Sequence, residues 1–231
     1  MSEKHNKTHL PLNLATTQNL EENKTPALTQ ILNLYYKAKD IGKSLIEHNQ
    51  ITCMGALALQ RPEIMLDVGI PGKLSPNYSS SNRATAFASI ANLAEHSSDD
   101  RGSLKGAIRH IFWQSDISDK FSQHLAQKIG NCHERNYPLN LARKSYTTLD
   151  EADMVTDQSN NIIGRELTKM YPNMTSRERM QKILDIARND GLYRIIKNPS
   201  GEYEVIRAKI NFDAYKKMKE ELDSLDDNGL K

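Results

Sequence analysis

The chain has 231 residues, and 31 Lys+Arg against 29 Asp+Glu leave a net charge of only +2. Hydrophobic residues make up 38% and aromatics 6%, which allows a globular core with polar extensions and lies above the range of a disordered chain. These figures exclude a strongly charged nucleic-acid coat. A membrane protein is excluded too, because no stretch approaches the roughly 18 apolar residues of a span.

Residues 1–24 are polar and mixed, with Pro11 interrupting the only apolar patch, and predict a flexible tail without a cleavable signal. Thr25-Pro26 is a good helix start, and Leu28, Ile31, Leu32, Tyr35, Tyr36, Ile41, Leu45 and Ile46 recur at helical spacing. An amphipathic helix is expected to about His48. Pro62, Pro71, Gly72, Pro76 and Ser79-Ser80-Ser81 make 61–84 mostly loop. Ala84 to His96 is small and apolar enough for a tightly packed helix. Next come a helix from about Ser103 to Ser115 and a second with Ser118 as N-cap, running to about Arg135. The third opens at Thr148, with Glu151 three residues on, and is closed by Pro172.

Thr175 and Glu178 form another capping-box pattern, opening a helix that stops at Asp190-Gly191. Leu192 to Lys197 and Glu202 to Arg207 flank the turn sequence Asn198-Pro-Ser-Gly201, which predicts a hairpin. A short helix from Phe212 to Leu222 precedes a polar end. The predicted fold is mainly α, a compact multi-helix domain with one C-terminal β-hairpin. The expected divisions are 1–24 as tail, 25–84 as helix plus loop, 85–210 as the core domain, and 211–231 as the final helix and tail. Cys53 and Cys132 cannot build a disulfide framework and fit a reducing compartment.

Three clusters carry the chemistry-bearing residue types: Arg109-His110-Ile-Phe-Trp113, His133-Glu134, and Asp157 to Arg165. On a helix Asp157, Asn160, Asn161 and Gly164 share one face, with Asp153 one turn earlier. Such a face needs something polar against it. Each residue alone has an ordinary explanation: His110 as a bonded core histidine, Trp113 as packing, Gly164 as a close helix contact, and His133-Glu134 as exposed surface. Together they look less accidental.

The order Arg-His-x-x-Trp, His-Glu, Asp-x-x-Asn-Asn-x-x-Gly-Arg resembles a bacterial domain family of uncharacterised activity found in polymorphic-toxin-like and phage-associated proteins. Its members typically read Phe-Arg-His-Ala-Tyr-Trp, Ala-His-Glu and Met-Asp-Leu-x-Asn-Asn-Ala-Val-Gly, and Asp190-Gly191-Leu192 fits its later helix end. The resemblance covers about residues 100–197. Cys132 replaces the usual small residue before His-Glu, and Val155-Thr156 replace the residues before the Asp. The resemblance implies a site and names no reaction.

The inventory permits two chemistries. His110, His133, Glu134, Asp153 and Asp157 could supply mixed N and O ligands to a divalent metal such as zinc, which would activate water. Without a metal, His110, His133, Glu134 and Asp157 could serve as acid–base catalysts, with Arg109, Asn160, Asn161 and Arg165 binding substrate. The expectation is an effector- or toxin-like hydrolase, cytoplasmic in the producing cell or exported by a dedicated machine, with an immunity or secretion protein as partner. Two alternatives stand beside it. Residues 161–207 have the order of a winged helix-turn-helix, with ten Lys+Arg against six Asp+Glu between Arg165 and Lys209, so Arg177, Arg179, Lys182 and Arg188 could meet phosphates. A non-catalytic interaction protein is the other.

Overall fold

The structure, a computed structural model, describes residues 53–57, 61, 64, 67–68, 78–95, 99–140 and 142–231. The expected tail 1–24 and the expected helix to His48 lie outside the described residues, as does much of the loop 61–84.

Among the described residues the first full helix is α1 (Ser80–Ala88), followed by a 3-10 turn over Ser89–Leu93. The triple serine is therefore a helix start and not loop. Ser79 is the N-cap, accepting from the Asn82 N–H, and all three serines are buried. Helix α2 (Leu104–Lys120) is capped by Ser103 and runs past the predicted end. Ile117, fully buried, carries the apolar face another turn. Ser118 thus lies inside α2, and Ser122 caps α3 (Gln123–His133) instead.

A two-residue strand, β1 (Ser145–Tyr146), precedes α4 (Leu149–Met170), whose cap is Thr148 as predicted. Helix α5 (Ser176–Asn189) has the full reciprocal box of Thr175 and Glu178. Strands β2 (Leu192–Lys197) and β3 (Tyr203–Ala208) pair antiparallel, Leu192 facing Ala208 and Lys197 facing Tyr203. β1 adds to β3 on the other side, giving the order β1-β3-β2. The hairpin is as expected; two residues are too few for β1 to show a period. Helix α6 (Phe212–Asp223) completes a mainly α domain.

The core joins α1, α2, α5 and α6 around Phe87, Ile108, Ile111, Phe112, Met180, Ile183, Leu184, Met218 and Leu222, with the Phe87 and Phe112 rings stacked 5.0 Å apart. It reaches beyond 85–210, taking in Met54, Ile64 and Val68 upstream and Leu225 downstream. The polar end, read as a tail, is fastened: Arg177 donates to the carbonyls of Asp223 and Leu225. Helix α4 packs on α2 so closely that a Cβ at Gly164 would lie 2.4 Å from the Ile111 carbonyl oxygen.

Two features depart from the sequence expectations. Arg179 is 1% exposed, although its helix lies in the basic stretch. It bonds Asp116 at 2.5 Å, Asp119 at 2.7 Å and the Ser115 hydroxyl at 3.0 Å. Arg83 and Ser80 close on the same Asp116 carboxylate at 2.6 Å each. Burial opposes the Asp116 charge, but the flanking Arg179, Arg83 and Lys120 outweigh it and hold the carboxyl below its ordinary value. The second correction concerns the cysteines, which are joined as a disulfide, with Cα atoms 5.4 Å apart across 79 residues of sequence. Free thiols of a reducing compartment are not what the fold contains; the sequence separation hid the proximity.

Replacing Arg179 by Ala leaves Asp116 and Asp119 short of a buried partner and should cost about 3–5 kcal/mol in urea unfolding. Arg188→Ala, on a residue outside this network, should stay within about 0.5 kcal/mol. Gly164→Ala should destabilise by about 1–3 kcal/mol because the backbone it meets cannot swing aside.

Candidate functional site

His110 lies midway along α2 and is 3% exposed. Its Nε2 is 3.0 Å from the Asp157 Oδ2 and its Nδ1 is 3.1 Å from the Asn161 Oδ1, both on α4. Four residues separate Asp157 from Asn161, so one helical turn of α4 clasps the ring from both ends. Glu134, the C-cap of α3, brings its Oε1 to 4.0 Å from His110 Nδ1 and 2.7 Å from His133 Nδ1. Glu134 is 4% exposed, whereas the His133 side chain is 37% exposed. His133 Nδ1 is therefore taken, and its Nε2 has no hydrogen-bond partner among the described residues.

The three rings of His110, His133 and Trp113 meet edge to face, with His110–His133 centroids 5.5 Å apart and Trp113–His133 centroids 5.3 Å apart. Beside them opens a cavity of about 160 Å³, bounded by Val68, Ser81, Ala84, Thr85, Arg109, His110, Trp113 and His133. Trp113 is thus both core and wall, its Nε1 donating to the Val68 carbonyl at 3.2 Å.

Burial is the largest influence on His110 and pushes it down. The Asp157 charge, the bond to Asp157 and the Glu134 charge outweigh burial and hold the ring above its ordinary value. Asp153 lies one turn before Asp157 and accepts from the Gly102 N–H at 2.9 Å. Burial, followed by the Asp157 charge, raises its carboxyl from 3.8 to about 7.

Of the five candidate ligands, His110, His133 and Glu134 bring ligand atoms within 4.8 Å of one another. A metal-bound imidazole must present a lone pair, and both His110 nitrogens are already occupied, Nε2 by the Asp157 carboxylate and Nδ1 by the Asn161 carboxamide. A ring held at both nitrogens fits a metal ligand poorly. Asp153 and Asp157 are not part of that three-residue group.

Of the remaining predicted substrate contacts, three are engaged within the fold and one lines the cavity. Asn160, fully buried, donates to the Tyr193 carbonyl at 2.9 Å and accepts from the Tyr193 N–H at 3.1 Å, pinning β2 to α4. Arg165 donates to Gln114 Oε1 at 2.8 Å, and Asn161 serves His110. Arg109 reaches the cavity and pairs with Asp100 at 3.3 Å. Three of the cations of the winged-helix alternative have partners within the fold. Arg179 is buried, Arg177 holds the C-terminal carbonyls and Lys182 lies over the Tyr171 ring. Ser81, Thr85 and Val68 were missed in the sequence; the serine run at 79–81 was the available signal for the first of them.

A mainly α domain with a histidine–carboxylate cluster beside a small cavity is the class these features define. Residues 67–191, more than half of the chain, match the family described as Domain of unknown function (DUF6973), and the chain belongs to that family. The matched span includes every residue of the cluster. No curated protein and no solved structure matches the chain.

The pKa shifts set the direction of pH dependence. Asp153 binds its proton more tightly when folded, so the stability it lends is full below its unfolded value of 3.8 and is lost as pH rises towards 7. His110, also raised, lends stability below 6.5 that is lost as pH climbs through its folded value. The thermal midpoint should therefore fall between about pH 5 and about pH 7, and Asp153→Asn should flatten the slope below neutrality. A midpoint that rises across this interval in the parent protein would contradict the assignment.

Proposed function

We propose that the protein is a hydrolase of the effector or toxin-like kind, working by histidine–carboxylate acid–base chemistry. The observation that carries this reading is the His133 Nδ1–Glu134 Oε1 bond of 2.7 Å, with a buried carboxylate behind a half-exposed, cavity-lining ring. Glu134 fixes the proton on Nδ1, which leaves Nε2 with its lone pair as general base toward a water or hydroxyl in the cavity. Proton transfer makes an imidazolium, and Glu134 stabilises it. His110, clasped by Asp157 and Asn161, is a positioning residue whose ring packs edge to face on His133 and lies 4.0 Å from Glu134. Arg109 supplies the cation at the cavity where negative charge develops on the substrate. The disulfide supports an oxidising destination, as an exported effector would meet.

Glu134→Gln and His133→Ala should each remove hydrolytic or cell-killing activity by about 10²-fold or more, with the circular dichroism spectrum retained. His124→Ala, an exposed residue on α3, should keep full activity. Chelation should leave activity unchanged. A stoichiometric transition metal that is lost in His133→Ala would replace this mechanism with a metal-assisted one. Full activity in both the Glu134 and His133 variants would put the interaction reading in its place.

A further inference from the structure

Cys132 immediately precedes the His133–Glu134 dyad and is 4% exposed, in the last turn of α3. Its partner, Cys53, begins a helical stretch over residues 53–57. That stretch meets the rest of the core through Cys53, Met54 and Leu57. Beyond the covalent bond, its polar tie to the end of α3 is the Asn136 amide donating to the Cys53 sulfur at 4.0 Å, the limit of a sulfur contact. Further along the same strip, Val68 forms one wall of the cavity and holds the Trp113 indole.

The turn after the dyad is conformationally demanding. Arg135 and Asn136 take successive left-handed φ values of 53° and 51°. The backbone closes around them by Asn136 N to Asn131 O at 2.7 Å and Tyr137 N to Glu134 O at 2.9 Å. A side-chain pair that must stay within 2.7 Å thus sits between a strained turn and a covalent anchor. Residues that leave commonly populated backbone regions persist when their surroundings over-determine them, and here the disulfide is part of those surroundings.

We propose that the Cys53–Cys132 disulfide is a redox latch on this site: reduction releases the strip bearing Cys53 and Met54 and loosens the end of α3 that holds His133 against Glu134. The chemistry is thiol–disulfide exchange with a low-potential dithiol. Its thiolate attacks one sulfur, the Cys53–Cys132 bond breaks, and the resulting mixed disulfide is resolved by the second thiol. The reductant leaves as its own disulfide, and the two cysteines end as thiols, having gained two electrons and two protons. The site is assembled in an oxidising compartment and loosened in a reducing one. That the latch governs catalysis rests on the hydrolase reading; that it governs the geometry does not.

The chain carries its own reporter, since Trp113 is its single tryptophan and touches both His133 and Val68. The full-length protein is compared after oxidation with glutathione disulfide and after treatment with dithiothreitol. The expected result is a red shift of Trp113 emission on reduction, with amide exchange at 53–57 and 131–137 about tenfold faster. The far-UV circular dichroism should be unchanged and reoxidation should reverse both effects. Cys53→Ser should resemble the reduced parent under either condition, and Cys132→Ala should do the same. The latch is overturned if thiol titration finds two free thiols after oxidation, or if two thiols are released while emission and exchange stay unmoved. Loss of the whole circular dichroism signal on reduction also overturns it, making the bond a staple of the fold. Full activity in His133→Ala would remove the hydrolase reading without moving these reporters, so the two failures are told apart.

Discussion

Helix α2 buries every side chain from His110 to Ser118, and His110, Gln114, Ser115, Asp116 and Ser118 among them are polar. A buried polar group without a partner is costly, and His110, Gln114 Oε1, Ser115 and Asp116 find complementary groups on the neighbours of α2, whereas Gln114 Nε2 and the Ser118 hydroxyl find none among the described residues. Helix α4 answers on one side: Asp157 and Asn161 take His110, Arg165 takes Gln114, and Thr168 meets the Ser115 hydroxyl at 2.7 Å. Arg83 on α1 and Arg179 on α5 answer on the other, through Asp116. Slipping α2 by one residue would break all of these pairs at once. The arrangement of the helices is specified by polar pairing as much as by apolar packing.

This constraint explains which parts of the sequence were readable. Caps at Thr148 and Thr175, the stop at Gly191 and the 198–201 turn depend on neighbours within a few residues, and all appear where the sequence implied them. The α2–α3 boundary was misplaced because Ser118 and Ser122 are equally good caps in isolation. Only Ile117, four residues past Trp113, argues for the longer helix, and its burial depends on elements distant in sequence. Arg179 was read as a surface cation from local charge. It nonetheless lies four residues before Ile183 on the apolar stripe of α5, and that placement was the clue to burial. The Asp-Asn face of α4 was legible as a face needing polar partners. Its division into Asp157 and Asn161 for His110 and Asn160 for Tyr193 was not, because the division depends on how far each turn of α4 lies from α2 and β2.

The same pairing separates structural from reactive groups within the predicted site. Asn160 gives both halves of its carboxamide to the Tyr193 backbone, so its chemistry is used up in holding the sheet to the helices. Arg165 is likewise engaged, and burial depresses its guanidinium below the ordinary value. His110 is engaged at both nitrogens. A fully satisfied group in a close-packed interface orients and polarises its surroundings, but it cannot accept a proton from a substrate without first losing a partner.

In the proposed acid–base chemistry the reactive position lies at the edge of this network. His133 meets that condition: it leaves the last turn of α3, its ring is partly exposed on the cavity, and one nitrogen is anchored while the other has no partner among the described residues. Its anchor, Glu134, sees His110 at 4.0 Å as well, so the charge of the interior is felt at the edge through one carboxylate. The α2–α4 interface thus forms the packed electrostatic background of the cluster, while His133 at the end of α3 is the member of the dyad that faces the cavity.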